Sequence, residues 1–430
     1  MKKLCTFALV TFFITSGLSG QEYHLTKFYD YFLNSKYDSA RVFLEEKLRQ
    51  KPDDPRLHFY LGKTYLTSKK YSPAIREFKK SFQNKKSDGK IYNYLGQIYE
   101  EQGMMPEAIK MYKTSIKMDS SNPLMQLKLG SLYYKQHSYK DAIFTLKNLI
   151  SNDSTNFHAY YLLARSYLKT AKYDSAILIS SKAVALDSSN FPNLLNLGIG
   201  YFNIKQFKKA VGILEKAVQL SPESDELRYY LGQTYANIDQ RADAINQLEK
   251  CANLHGIFKL KALKFLTAYY YQLGLTKECI RTAQKYLTIE TDKYLPTVYY
   301  YLARALSDER KFNEADSAFQ KASKYSDSAF IRSIYFYRGL NFYLQKKYVQ
   351  AIMFYKKVIA MDPYYRFAYY NLAITYDDYY QDKRTAITYY KKFLTFSSKN
   401  KNDDLLVRAA KKRIVDLKKQ IFFNKKGKNN

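Results

Sequence analysis

Tryptophan is absent from this chain of 430 residues, and glycine, proline and cysteine are scarce, at 15, 9 and 3 residues. So few chain-breaking residues fit long helices joined by tight turns better than a sheet protein. Only Cys251 and Cys279 lie beyond the first few residues, which is too few for a disulfide framework. With hydrophobic residues at 46%, the composition favours a folded, all-helical chain.

Long apolar stretches are also missing, apart from one near the N-terminus. Lys2 and Lys3 precede an apolar run over residues 4–14, and small residues then lead to the polar Gln21. This is the layout of a signal peptide, and the run is too short to span a bilayer comfortably. We therefore expect residues 1–20 to be cleaved off, leaving an exported periplasmic or envelope-associated protein without a transmembrane segment.

Acidic residues are the minority among the charged ones, 39 against 70 basic residues, so the formal net charge is +31. Loss of the first twenty residues would remove Lys2 and Lys3 and leave +29. Such an excess attracts anionic partners and opposes self-association, but it does not determine the fold.

A single spacing dominates the rest of the sequence. Eight tyrosines follow one another at intervals of 34 residues: Tyr31, Tyr65, Tyr99, Tyr133, Tyr167, Tyr201, Tyr235 and Tyr269. Seven alanines keep the same step: Ala40, Ala74, Ala108, Ala142, Ala176, Ala210 and Ala244. So do the pairs Leu61-Gly62, Leu95-Gly96, Leu129-Gly130, Leu163-Ala164, Leu197-Gly198 and Leu231-Gly232. Three columns with one period indicate an internal repeat.

Each column has a physical role in a pair of antiparallel helices. Helices that pack closely need a small residue where their backbones approach, and we assign this role to Gly62 and Ala74. Leu61 and Tyr65 are four residues apart, so they lie on one apolar helix face.

Turn residues stand between the predicted helices. Ser72, Asp141 and Asp174 come where the second helix of a pair would begin, and we expect them to cap it. Prolines close the second helix in three repeats, at Pro52, Pro222 and Pro363.

A 34-residue unit with Leu-Gly-x-x-Tyr in its first half, and Ala nine residues after the Tyr, resembles the tetratricopeptide repeat family. The resemblance implies a helix-turn-helix unit and an all-α fold. We expect a right-handed superhelical solenoid of about eleven repeats with a C-terminal capping helix, in an exported bacterial protein.

The register divides the chain into segments. Seven regular repeats span residues 21–258 and start near Gln21, Pro55, Gly89, Pro123, Phe157, Phe191 and Asp225. Four less regular repeats span 259–402 and start near Lys259, Pro296, Arg332 and Arg366, with small insertions in the eighth and eleventh. A capping helix at 403–423 has Leu406, Ala410, Ile414, Leu417 and Ile421 on one face, and residues 424–430 form a basic, disordered tail.

The sequence departs from the family pattern near the start of the first helix, where the family usually has Trp. This chain has an aromatic residue or histidine there in seven repeats: His24, His58, Tyr92, Tyr160, Tyr299, Tyr335 and Tyr369. The change affects fine packing only, since Tyr fills a similar volume with its hydroxyl toward solvent.

The family implies a concave groove lined by the first helix of each repeat. Carried over by position, the partner-binding residues are Arg56, Phe59, Lys63, Lys90, Asn93, Gln97, Lys135, Tyr161, Arg165, Lys169, Tyr229, Gln233, Tyr270, Tyr300 and Arg304. Tyr and Arg dominate binding hot spots, so an extended or acidic protein segment is the expected ligand. The alternative, equally weighted, is that many of these are ordinary surface residues.

Some family members hold a chaperone's C-terminal carboxylate with Lys, Asn and Arg at set first-helix positions. The fifth position of successive repeats here carries Leu25, Phe59, Asn93, Leu127 and Tyr161, which disfavours that ligand.

Catalysis has least support, because the repeats leave no room for a catalytic domain. The five histidines belong to no His-Glu-x-x-His motif, and neither a Gly-rich phosphate loop nor a nucleophile motif occurs in the sequence. We expect a non-catalytic protein-protein interaction scaffold of the cell envelope, without cofactor or metal.

A charge-driven binder of anionic envelope polymer, glycan or lipid surface is the alternative function. The terminal basic run could contact such a polymer, although a solvated helix face is the favoured interpretation. Nucleic acid would suit the basic and aromatic composition, but export argues against it. Cys251 and Cys279 take small packed positions too far apart for a disulfide, so we expect two buried free thiols.

Overall fold

The computed structural model describes residues 25–82, 89–119, 122–289, 295–324, 326–397 and 404–426, and within them it contains 23 helices and no strand. The chain divides into two compact units, residues 1–220 and 221–430. We number the helices in chain order, so that odd numbers are the first and even numbers the second helix of a pair. The signal-peptide prediction for 1–20 lies outside the described residues.

The first unit consists of six helix pairs. Their bounds are α1 Thr26–Leu33, α2 Tyr37–Gln50, α3 Pro55–Thr67, α4 Tyr71–Ser81, α5 Gly89–Glu101, α6 Met105–Met118, α7 Pro123–Lys135, α8 Tyr139–Asn152, α9 Phe157–Lys169, α10 Tyr173–Leu186, α11 Phe191–Asn203 and α12 Phe207–Leu220.

The second unit consists of five pairs and a single last helix. Their bounds are α13 Asp225–Asn237, α14 Arg241–Asn253, α15 Phe258–Gln272, α16 Thr276–Ile289, α17 Pro296–Asp308, α18 Phe312–Lys324, α19 Ser328–Leu344, α20 Tyr348–Met361, α21 Arg366–Asp378, α22 Lys383–Ser397 and α23 Asp404–Lys426. Within each unit the two helices of a pair pack on each other, and the second helix packs on the first helix of the next pair, which confirms the predicted all-α solenoid class.

One backbone feature recurs in the turn of every pair. A residue in the left-handed conformation follows each first helix: Ser35, Lys69, Gly103, His137, Ala171, Lys205, Asp239, Gly274, Arg310, Lys346 and Gln381. In the second pair, for example, the N–H groups of Lys69 and Lys70 donate to the carbonyls of Leu66 and Tyr65 at 2.8 Å. This turn satisfies the last carbonyls of the first helix and reverses the chain.

The predicted capping of the second helices is wrong. Second helices α4, α8 and α10 have no side-chain hydrogen bond at their N-caps, because the N-cap follows directly on the left-handed turn. Asp141 and Asp174 instead lie within the first turn, where a carboxylate interacts favourably with the helix dipole. Side chains cap the first helices, at Asp54, Asn122, Asn156, Asn190 and Ser224.

The small residue of the first helix makes room for a side chain other than the one we expected. A Cβ on Gly62 would lie 2.9 Å from the ring of Phe78, whereas Ala74 is not among its nearest neighbours. The same relation, sixteen residues apart, joins Gly96 to Tyr112, Gly130 to Leu146, Gly198 to Leu214, Gly232 to Leu248 and Gly339 to Tyr355. In the fifth repeat Ala164 replaces the glycine, and the residue sixteen positions on is the small, fully buried Ser180.

The tyrosine column shifts at its eighth member. Tyr65 donates to Glu45 at 2.9 Å, and the equivalent glutamate of the seventh repeat, Glu249, accepts from Tyr270 at 2.8 Å rather than from Tyr269. One residue is therefore inserted upstream, in the connection between α14 and α15. Gly256 in that connection lies against Asp225, whose carboxylate accepts from the Phe258 N–H at 2.9 Å.

The last helix packs on the final pair through the predicted face, since Ala410, Ile414 and Leu417 are buried. Arg413 adds two hydrogen bonds, of 2.6 and 2.9 Å, to the buried carboxylate of Asp377. The helix extends to Lys426, three residues beyond the predicted end, and residues 427–430 of the predicted tail lie outside the described residues. Within the part of the chain described, none of the helices has the length and hydrophobicity needed to cross a membrane.

Candidate protein-binding surface

The first unit contains an open concavity of about 560 Å³ between the first helices of three successive repeats. Residues of α5, α7 and α9 line it, together with Met105 at the start of α6: Gln97, Glu100, Glu101, Leu127, Lys128, Ser131, Lys135 and His158. Because equivalent first-helix residues stack from one repeat to the next, the concavity runs across the helices. An extended segment of a partner would fit this geometry.

The concavity is balanced in charge although the chain is strongly basic. Two lysines and two glutamates line it, and the Lys135 ammonium donates to Glu100 at 2.8 Å. Burial alone would raise the pKa of Glu100, but hydrogen bonds from Lys135 and from the Tyr112 hydroxyl hold that pKa below its ordinary value. Glu101 accepts from the Tyr71 hydroxyl at 2.8 Å and from the Gln97 amide at 2.9 Å. The four charges thus sum to zero, and Lys135 and Glu100 form an ion pair.

The predicted groove residues of the first unit all lie on first helices and keep some exposure. Arg56, Lys90, Lys135 and Lys169 are exposed, whereas Phe59, Lys63, Asn93, Gln97, Tyr161 and Arg165 are partly buried. Phe59 packs against the rings of Phe78 and Tyr94, with centroids 6.1 and 5.7 Å apart. Gln97 and Lys135 are the predicted residues that line the concavity itself.

In the second unit two of the predicted groove residues need a correction. Tyr270 is 2% exposed and belongs to the core. The inserted residue shifts the register by one, so Tyr270 takes the position that Tyr65 holds in its repeat. Tyr300 is also buried, at 7%. Tyr229 and Gln233 are partly buried and joined by a 3.0 Å hydrogen bond.

Arg304 is the predicted residue with the most unusual surroundings. Its guanidinium lies 3.8 Å from the ring centroid of Tyr337, 4.5 Å from that of Tyr271 and 5.5 Å from that of Tyr300. These tyrosines come from the first helices of three successive repeats, α19, α15 and α17. The guanidinium also donates to the Tyr300 hydroxyl at 3.2 Å.

Sequence reasoning missed several residues of the concavity. Leu127 and Ser131 hold the same register positions as Phe59 and Lys63, but we passed over them because they are neither basic nor aromatic. Glu100 and Glu101 were missed for the same reason. Counting the 34-residue register alone, without a preference for residue type, would have found Leu127 and Ser131.

The histidine at the aromatic position of the second repeat has a structural role. His58 is 6% exposed, with Nδ1 2.7 Å from the Glu77 carboxylate and Nε2 2.7 Å from the Pro52 carbonyl. Other side chains at this position contact the same carbonyl: Arg228 donates to Pro222 at 2.7 Å, and Tyr369 to Pro363 at 2.9 Å. Among the described residues, no group of three or more His, Cys, Asp or Glu side chains could hold a metal ion.

Comparisons with known proteins agree with the architecture. The family model described as anaphase-promoting complex, cyclosome, subunit 3 matches residues 101–183, 135–216 and 170–251, which start one repeat apart. The tetratricopeptide repeat model matches residues 300–366. No curated protein sequence matches the chain. The chain belongs to the tetratricopeptide repeat family, whose members are typically non-catalytic scaffolds for protein-protein interaction.

Three solved structures illustrate the likeness. The C-terminal part of a TPR repeat-containing protein from Cytophaga hutchinsonii is 20% identical, with a TM-score of 0.47 over 55% of this chain and 97% of that one. The APC/C hetero-tetramer Cut9-Hcn1 gives 14% identity and a TM-score of 0.45 over 93% and 96%. YrrB, a TPR protein with an unusual peptide-binding site, gives 20% and 0.36 over 41% and 91%.

Proposed function

We propose that this protein is a non-catalytic scaffold of the bacterial cell envelope that binds segments of partner proteins on the exposed faces of its first helices. The concavity between α5, α7 and α9 is the observation that carries the proposal. Clefts are where proteins bury most of a ligand's surface, and this one is built from rigid helices rather than loops.

The chemistry of the concavity supports recognition by shape and hydrogen bonding. Leu127 and Met105 offer apolar contact, while Gln97 and Ser131 offer hydrogen-bonding groups. The lysines and glutamates largely neutralise each other, so a ligand gains little there from net charge alone. A protein segment with apolar side chains and free backbone groups suits this lining better than a uniform polyanion.

The envelope location rests on the layout of residues 1–20. If they are a signal peptide, the protein isolated from the envelope fraction of its host has a mass that lacks this segment. An intact chain found in the cytosol would contradict the location and leave the scaffold proposal untouched.

Affinity purification of the tagged protein from an envelope extract tests the scaffold proposal. Ser131→Arg places a long side chain in this open concavity. Ser151→Arg is the matched control, because it makes the same change at an exposed position of α8 in the same repeat. We expect partner proteins to survive a high-salt wash on the original protein and on the control, and to be lost with Ser131→Arg.

Equal recovery of partner proteins with Ser131→Arg and Ser151→Arg would show that the concavity does not bind them. Loss of every partner in high salt would favour the alternative, a charge-driven binder of anionic envelope polymer. A second, open concavity of about 500 Å³ in the second unit supports that alternative, since Arg310, Lys346 and Lys347 line it. The triple change of these residues to Gln would then abolish binding, whereas Ser131→Arg would not.

A further inference from the structure

Three arginines of the second unit are held by carboxylates, and Arg304 is not among them. Arg332 pairs with Asp362 at 2.5 Å, Arg338 with Asp316 at 2.5 Å and Arg413 with Asp377 at 2.6 Å. Within the described residues Arg304 has no carboxylate partner, and its contacts are three tyrosine rings and one tyrosine hydroxyl. Its charge is therefore not neutralised by the protein.

The remaining N–H groups of Arg304 reach solvent. The side chain is partly buried, yet none of its nitrogens is among the enclosed, unpartnered atoms, which include the Nε atoms of Arg41 and Arg332. Burial alone would lower the pKa of Arg304, but the hydroxyls of Tyr300, Tyr337 and Tyr271 hold it above its ordinary value, so the group stays cationic.

We propose that Arg304, held between Tyr271 and Tyr337, is a preformed binding point for one Asp or Glu side chain of an extended partner segment. The proposal rests on the proposed function, since it takes for granted that first-helix faces bind protein segments. It adds the class of side chain recognised and the residue that recognises it.

The geometry fits a carboxylate. A guanidinium is a planar fork of five donors that pairs with a carboxylate through two parallel hydrogen bonds. The neighbouring rings restrict the fork, so little side-chain entropy is lost on binding, and they displace water from around it. A partly desolvated, immobilised arginine beside tyrosines is the composition of a binding hot spot.

A purely structural role is the competing explanation. The three rings come from helices of three repeats, so Arg304 could act only by stabilising their stacking through cation-π contacts. In that case substitution lowers thermal stability but does not change which peptides bind. A test must therefore read out ligand preference as well as stability.

A phage-displayed library of random peptides, selected on the purified protein, provides that readout. We expect selected peptides to share one acidic position, and selection on Arg304→Gln to lose this preference. Lys311→Gln is the matched control, since it removes one positive charge from an exposed turn residue of the same repeat, and should keep the preference.

Affinity measurements with one selected, fluorescently labelled peptide give the size of the effect. We expect Arg304→Gln to weaken binding roughly 10- to 100-fold, as for a hydrogen bond between charged groups. Replacing the acidic peptide residue with its amide should weaken binding by the same factor. The two changes together should weaken binding no more than either change alone. Arg304→Lys should also weaken binding, because a lysine lacks the planar fork.

The outcomes separate this proposal from the proposed function. If the enriched peptides show no acidic preference, or if Arg304→Gln retains that preference, the proposed role of Arg304 is overturned. The scaffold proposal is then unaffected. No enriched peptides at all would count against both. If Arg304→Gln does not fold, the peptide amide substitution on the unaltered protein decides the case, since unchanged affinity would refute the proposal.

Discussion

Tyr112 and Tyr355 occupy the same place in their repeats, each with its ring against a glycine of the preceding helix. Their hydroxyls differ: Tyr112 donates to Glu100 at 3.0 Å, whereas the Tyr355 hydroxyl has no hydrogen-bond partner among the described residues. The two positions thus separate the packing of a ring from the hydrogen bond of its hydroxyl.

Phenylalanine at these positions should have opposite effects on stability. Tyr112→Phe removes a hydrogen bond to a charged group and should cost about 1.5 kcal/mol, whereas Tyr355→Phe removes an unpaired buried hydroxyl and should be neutral or stabilising by up to ~1 kcal/mol. Urea denaturation followed by circular dichroism measures both. A similar loss in the two variants would show that Tyr355 has a partner after all.

The two free thiols are buried, as predicted, and burial dominates their chemistry. Burial, with a smaller contribution from Asp225, raises the pKa of the Cys251 thiol to about 12, and burial with Asp308 raises that of Cys279 to about 12. Since the thiolate is the reactive form and the unfolded pKa is ~8.5, folding keeps both groups protonated between about pH 8 and 11.

Thiol titration with a chromogenic disulfide at pH 8 tests this. We expect neither Cys251 nor Cys279 to react in the folded protein, and both to react at once in denaturant. Fast labelling of the folded chain would show that the helix pairs around α14 and α16 open far more readily than their packing indicates.

In six of the described helix pairs a glycine of the first helix lies against a large side chain of the second helix, sixteen residues further along the chain. A Cβ on Gly198 would lie 2.5 Å from the side chain of Leu214, and both belong to the pair α11–α12. The fifth repeat resolves the same conflict with Ala164 and Ser180. Repeat architecture therefore accepts two solutions, a small first-helix residue with a large second-helix residue, or two small ones.

Gly198→Ala should destabilise the protein by about 1–3 kcal/mol through overpacking, despite the better helix propensity of alanine. Leu214→Ser should also destabilise it, by leaving a cavity. The double variant copies the fifth repeat, so its loss should be smaller than the sum by at least ~1 kcal/mol, measured as a double-mutant cycle in urea. Additive losses would contradict the coupling.

Helix connections were harder to predict than helices. The first helices α3, α5, α7, α9, α11 and α13 begin at the residues from which the 34-residue register was counted. A period is enough for this, because every helix repeats the same local contacts. The register predicted a small insertion in the eighth repeat, but not its place before α15, because Tyr269 keeps the 34-residue spacing by coincidence.

For the whole molecule, the family and fold class followed from the sequence, but the character of the binding surface did not. A solenoid has contacts mainly between neighbours, so its period carries the architecture. Which charges neutralise each other depends on side chains one repeat apart, as for Lys135 and Glu100. The formal net charge of +31 for the whole chain therefore predicted neither the balance of charges in the concavity nor the unpaired charge of Arg304.

The central claim is that partners lie on the first helices. Site-specific photocrosslinking in the native host tests it most directly, with the photoreactive residue at Leu127 in the concavity or at Phe144, a 69% exposed residue of the second helix in the same repeat. We expect protein adducts from position 127 and none from position 144. Adducts from position 144 alone, or only non-protein adducts from both positions, would contradict the account.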